Sequence, residues 1–162
     1  MSHPSTESLP FIELFTDGGA EPNPGIGGFG FILCQRGHCK EFAQGFEMTT
    51  NNRMELMAVI YGLAQIKRRT RVQVYSDSKY VIDGIEKGWA KNWRSKGWMR
   101  NSKEKALNAD LWARLLELVD HHEVRFQWVK GHNGHMQNER CDALATWAIK
   151  NSELRVDEGY PG

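Results

Sequence analysis

TNNRMELMAVIYGLAQIKRRTRVQVYSDSKYV, residues 50–81, decides the fold because its periodicity changes partway along. From Arg53 to Lys67 the apolar residues Met54, Met57, Ala58, Tyr61, Leu63 and Ala64 recur at near-helical spacing. Asn51 or Asn52 supplies the N-cap, and Lys67, Arg68 and Arg69 suit the negative end of the helix dipole. Val72 to Tyr75 then alternates apolar with polar, which is a strand pattern, and Ser78 to Lys87 reads as a short helix. Upstream lie three further strands, Phe11–Thr16, Phe29–Gln35 and Lys40–Met48. The Gly- and Pro-rich turn EPNPGIGG (21–28) and the short Arg36-Gly37-His38 link join them, so they are antiparallel neighbours. A helix before the fourth strand frees that strand to run parallel to the first.

Downstream, residues 89–98 form a Trp- and Lys-rich helix or helix-loop, and Leu111, Leu115, Leu116, Leu118 and Val119 mark another helix. VRFQWV (124–129) is a fifth strand, and Asn138 to Ile149 a last helix. The order describes an α/β layer built on a mixed five-stranded sheet, three strands antiparallel and two parallel, with helices on both faces. Residues 1–10 are expected to be a disordered lead-in, 11–150 one domain, and 151–162 a mobile tail.

Bulk composition is that of a single ordinary globular domain: 162 residues, 40% hydrophobic, 25% charged. A formal net charge of +1 requires any nucleic-acid footprint to be local. Three cysteines (Cys34, Cys39, Cys141) leave one over after any pairing, which argues against a disulfide framework and for a reducing, cytoplasmic setting. Cys34, His38 and Cys39 lack a second ligand pair at zinc-like spacing. The first ten residues do not read as a secretory signal, and no apolar run reaches the ~20 residues needed to span a bilayer.

Four acids sit at the edges of apolar segments: Asp17 in ELFTDGG, Glu55 in TNNRMELM, Asp77 in VYSDSKYV and Asp142 in ERCDALA. Each has an ordinary reading: Asp17 as a turn residue, Glu55 in a capping box with Asn52, Asp77 as an N-cap, Asp142 at a helix start. Yet Asp17 and Asp77 both follow strands that can be parallel neighbours, and ligands bind beyond the carboxyl ends of such strands. Acids brought together there repel one another unless a cation joins them, and carboxylate-bridged divalent metals serve phosphodiester cleavage. Gly25-x-Gly27-x-x-Gly30 matches a dinucleotide fingerprint but runs into a strand rather than opening a helix, so these glycines read as turn and close-backbone positions.

FTDGGAEPNPGIGGFG (15–30), TTNNRMELMA (49–58), SDSKYV (76–81), WVKGHNGHMQNERCDALA (128–145) and the Trp-rich basic segment together resemble bacterial type 1 ribonuclease H, in order and spacing, from about Phe11 to Ile149. The resemblance implies the ribonuclease H-like fold and an endonuclease that cuts the RNA strand of an RNA–DNA hybrid with two Mg²⁺ ions, Mn²⁺ substituting, to give 3′-hydroxyl and 5′-phosphate ends. It implies that Asp17, Glu55, Asp77 and Asp142 bind metal and that His132, in a Gly-flanked loop, is the catalytic histidine. Thr50, Arg53 and Asn108 match the phosphate pocket for the DNA strand, and Asn23, Asn51 and Asn52 match minor-groove positions near RNA 2′-hydroxyls. Lys79 stands where familiar members carry a glutamine that contacts RNA, and Ala20 replaces a polar or thiol side chain. From Lys87 to Lys105 the segment is basic, with only Glu104 opposing, and resembles the family's protruding handle. Trp89, Lys91, Trp93, Arg94, Lys96 and Trp98 are its candidate contacts to the DNA strand. A monomer is the expected state. Two alternatives stand beside this reading: a hybrid-binding module without activity, and a DNA resolvase- or integrase-like phosphoryl transferase on the same architecture.

Overall fold

A computed structural model describes residues 9–130 and 135–161. The expected lead-in therefore lies almost wholly outside the described residues, as does His132. The elements are β1 (Phe11–Ala20), β2 (Gly25–Gln35), β3 (His38–Thr49), α1 (Asn51–Gln65), β4 (Arg71–Ser76), α2 (Lys79–Glu86), α3 (Trp89–Ser95), α4 (Ala109–His121), β5 (Glu123–Trp128) and α5 (Met136–Asn151). The strands form one sheet in the order β3-β2-β1-β4-β5. β1, β2 and β3 are antiparallel neighbours, while β1 pairs parallel with β4 and β4 parallel with β5.

Side chains alternate across the sheet and meet a helix on each face. Leu14, Phe29, Phe31, Val72 and Val74 join Met54, Leu56, Val59 and Leu63 of α1 and Trp112, Leu115 and Leu116 of α4 in the main core. On the other face Phe15 and Ile32 pack with Cys141 and Leu144 of α5. The glycines of GIGGFG let α5 come this close: a Cβ on Gly30 would lie 2.5 Å from Leu144 Cβ. That helix carries Asp142, so the contact also sets where this acid stands.

Several boundaries differ from the sequence expectation. β1 continues to Ala20, so Asp17 lies inside the strand, opposite Gly30, rather than in a turn. β2 begins at Gly25, so the Gly-rich stretch is mostly strand; cross-strand pairing overrides glycine's poor strand propensity. Thr50, not Asn51 or Asn52, caps α1, its hydroxyl accepting from Arg53 N at 3.2 Å. Lys67 lies past the end of α1, where its Nζ donates to the Ala64 carbonyl at 3.1 Å.

One expectation is corrected outright. Cys34 and Cys39 are joined as a disulfide, because their positions are direct partners across the β2–β3 hairpin. The count of three cysteines concealed that pairing, and the inference to a reducing compartment loses its premise. Cys141 is the free cysteine, fully buried, with burial pushing its thiol pKa up.

The segment after α5 docks on the sheet. Arg155 pairs with the β3 backbone, accepting from Glu47 N at 2.8 Å and donating to Gly45 O at 3.0 Å. Asp157 then buries its carboxylate against Thr49 Oγ1 (2.7 Å) and Arg53 Nε (2.7 Å). A single acid in a polar segment anchors it, a signal that composition does not carry. Side chains of Arg53 and Asp157 are only 2% and 1% exposed, so removing Asp157 leaves the buried Arg53 Nε without its partner and the guanidinium paired with Asp110 alone. Asp157→Ala should lower unfolding free energy by about 3 kcal/mol in urea titrations; a change below about 0.5 kcal/mol would mean that the tail is not held by this pair.

Candidate active site

Capping frees two of the four acids for other work. Ser78 caps α2, its hydroxyl accepting from Val81 N at 3.2 Å, so Asp77 is not spent as an N-cap. Thr50 caps α1, so Glu55 does not close a capping box; its Oε1 accepts instead from Gly18 N of β1 at 2.5 Å. The same N–H also reaches Asp17 Oδ1 at 3.0 Å. A Cβ on Gly18 would fall 2.6 Å from the Met54 backbone, so this close approach of α1 to β1, which delivers Glu55, requires glycine.

The parallel pairing of β1 with β4 sets Asp77, the first residue after β4, beside Asp17. One carboxylate oxygen from each of Asp17, Glu55 and Asp77 lies within 4.8 Å of the others. Asp142 stands outside this tight group but lines the same cavity, of about 470 Å³, together with Asp17, Asp77, Gly18, Asn51 and Thr146. Burial, and next the charge of Asp77, raise the Asp17 pKa to about 7, and Asp142 adds to the rise. Burial, with Asp17 and Asp77 behind it, lifts Glu55 well above the usual carboxylate range. Half-buried hard oxygens that resist ionising together are a donor set suited to divalent cations such as Mg²⁺.

An RNase H profile matches residues 10–150. The chain belongs to the RNase H family. It is 55% identical to a ribonuclease H of Desulforamulus reducens over 93% of this chain and 94% of that one. It is 50% identical to a ribonuclease H of Trichodesmium erythraeum, over 96% and 99% of the two chains. Among solved structures, the type 1 RNase H called LC9, which has the type 2 active-site motif, superposes with a TM-score of 0.76 at 30% identity, covering 92% of this chain and 74% of that one. RNase H enzymes are metal-dependent, and the acidic cluster fits that dependence.

Around the acids lie the other residues singled out by the resemblance. Asn51 Oδ1 accepts from Ala20 N at 2.6 Å and Asn23 Oδ1 accepts from Asn51 N at 3.1 Å, tying the β1–β2 turn to the start of α1 beside the cavity. Asn52 is exposed at the same helix start. Thr50, Arg53 and Asn108 do come together: Arg53 N meets Thr50 Oγ1, and Arg53 Nη1 donates to Asn108 Oδ1 at 3.2 Å. The Arg53 guanidinium, however, is buried and forked between Asp110 and Asp157, with each of its three nitrogens engaged. Through Nη1 it also ties Asn108 to the Asp110–Asp157 pair. Asp110 and Asp157 were invisible as site residues in the sequence, because neither lies in a motif.

In the basic segment, Trp93 packs on Trp112 and, with Trp98, against the core, so both are partly structural. Trp89 is 40% exposed, with Lys87 over its ring. Arg94 is paired with Asp120 at 2.9 Å, whereas Lys91 and Lys96 are exposed and carry no salt bridge among the described residues.

A carboxyl whose native pKa is raised above its unfolded value holds more protons when folded, so stability is fully present below the unfolded pKa and falls as pH rises toward the native one. For Asp17 that window runs from about 4 to about 7. Metal-free protein should therefore lose melting temperature between pH 4 and 7, and Asp17→Asn should raise the melting temperature at pH 7 and flatten this slope. Thermal melts in chelator across that range check it; an Asp17→Asn variant less stable than the parent at pH 7 would contradict it.

Proposed function

We propose that this RNase H family member hydrolyses the RNA strand of RNA–DNA hybrids endonucleolytically, with two Mg²⁺ ions held by Asp17, Glu55, Asp77 and Asp142, leaving 3′-hydroxyl and 5′-phosphate ends. The observation that carries the reading is the convergence of Asp17, Glu55 and Asp77 oxygens within 4.8 Å, on a cavity shared with Asp142. When bound, such ions supply a nucleophilic water at neutral pH and neutralise charge on the scissile phosphate and its leaving oxygen. The chain's own residues do the rest. Gly18 N holds Asp17 and Glu55 in one orientation, and the Ser78 cap leaves Asp77 free to face the cavity edge.

Asn23 and Asn51 spend their side-chain oxygens on backbone N–H groups, which leaves their amide N–H groups as donors. With Asn52 they present donors to 2′-hydroxyls, the group that separates RNA from DNA. Thr50 and Asn108, braced by Arg53, take a phosphate of the DNA strand. Trp89, Lys91 and Lys96 grip that strand further along by charge and by an aromatic face, without reading sequence. His132 acts as the proton carrier at the cleaved bond.

Labelled RNA–DNA hybrid, duplex RNA and duplex DNA incubated with Mg²⁺ separate this reading from its rivals. Selective cutting of RNA in the hybrid is expected, and Asp17→Asn, Glu55→Gln and Asp77→Asn should each lower the rate on the order of a thousandfold. An intact hybrid at every metal concentration would favour a binding module, and equal cutting of duplex DNA a resolvase-like enzyme. For the handle, Lys91→Ala with Lys96→Ala should reduce the slope of log affinity against log salt by about one to two, roughly one for each phosphate that a lysine neutralises, and leave kcat nearly unchanged. An unchanged salt slope in fluorescence-anisotropy titrations would remove these lysines from the hybrid interface.

A further inference from the structure

Trp128, the last residue of β5, meets two groups at the rim of the acidic cluster. Its indole Nε1 donates to the Asp77 carbonyl at 3.1 Å, and its ring lies under the Lys79 ammonium, 4.5 Å from Nζ to centroid. The parallel register that pairs Ser76 with Trp128 puts the indole there. Neither interaction buries the ring, which is 40% exposed, so core packing does not account for a tryptophan at this position. Lys79 is itself exposed, opens α2 two residues after Asp77, and forms no salt bridge among the described residues. A lysine with four rotatable bonds normally spreads its charge over a wide arc; an aromatic face beneath the ammonium narrows that arc.

We infer that Trp128 is a positioning residue of the reaction proposed above, on which this inference rests. Its ring holds the Lys79 ammonium ready for a phosphate oxygen of the RNA strand beside the scissile bond. Its N–H fixes the backbone from which the Asp77 carboxylate projects. A lysine offers only donors, and donation to a phosphate oxygen carries no information about base identity.

The two tasks are separable. Trp128→Phe keeps an aromatic face and loses the N–H; Trp128→Leu loses both. With hybrid as substrate, Trp128→Leu should raise KM about threefold or more, and Lys79→Met should raise it similarly. The double variant should be no worse in KM than either single one. Trp128→Phe should restore KM while kcat stays down about fivefold, the effect of one missing hydrogen bond. A merely structural tryptophan would not split KM from kcat in this way. Multiplying KM effects in the double variant, or an unchanged KM for Trp128→Leu, would overturn the role.

A second readout needs no activity and no variant. In NMR spectra of the wild-type protein the Lys79 ε-methylene protons should be shifted upfield by the indole ring current; ordinary lysine shifts would overturn the pairing even if Trp128→Leu failed to fold. Upfield Lys79 protons in a protein that leaves hybrid intact would instead overturn the functional reading, and this role with it, while leaving the Lys79–Trp128 pairing standing.

Discussion

Crowding of negative charge at a half-buried sheet edge is the constraint on which the rest of this structure depends. Asp17, Glu55 and Asp77 come from a strand, a helix and a strand end, and nothing apolar compensates their approach. The scaffold holds them there by geometry fixed elsewhere: the parallel β1–β4 pairing, the close approach of α1 to Gly18, and the packing of α5 on Gly30. Repulsion that is not relieved by the protein is left to be relieved by a ligand. A site destabilised when empty in this way binds cations with the free energy its own folding did not recover.

The same logic of charge and partner runs through the neighbouring pocket with the opposite sign. Arg53 is buried and would be untenable alone, but Asp110 and Asp157 fork it from two elements distant in sequence. Pairing of this kind fixes a unique arrangement more than it adds net stability. Here it docks the end of the chain on β3 and steadies Asn108, which takes a left-handed backbone conformation at the start of α4. The residues proposed to face substrate thus rest on a buried guanidinium paired with one buried and one half-exposed acid.

Much of this was legible beforehand. The change of period between residues 50 and 81 predicted the helix between strands and hence the mixed sheet, and the four acids stood out because each broke an apolar run. What was not legible depended on partners far away in the chain. Asp17 looked like a turn residue because glycines follow it, yet pairing with β2 carries β1 through to Ala20. Cys34 and Cys39 looked unpaired by count, yet the hairpin register sets them face to face. The docking of the last segment through Asp157 was not legible because it depends on one acid with no local signature. The two acids that pair with Arg53 were not legible either, because Asp110 and Asp157 lie 57 and 104 residues away from it.

Anomalous diffraction from crystals soaked in Mn²⁺ tests the central claim most directly. The account predicts metal density bounded by Asp17, Glu55 and Asp77, with Asp142 lining the same cavity. Density confined to other acids, or none at this cluster at millimolar Mn²⁺ and neutral pH, would contradict it.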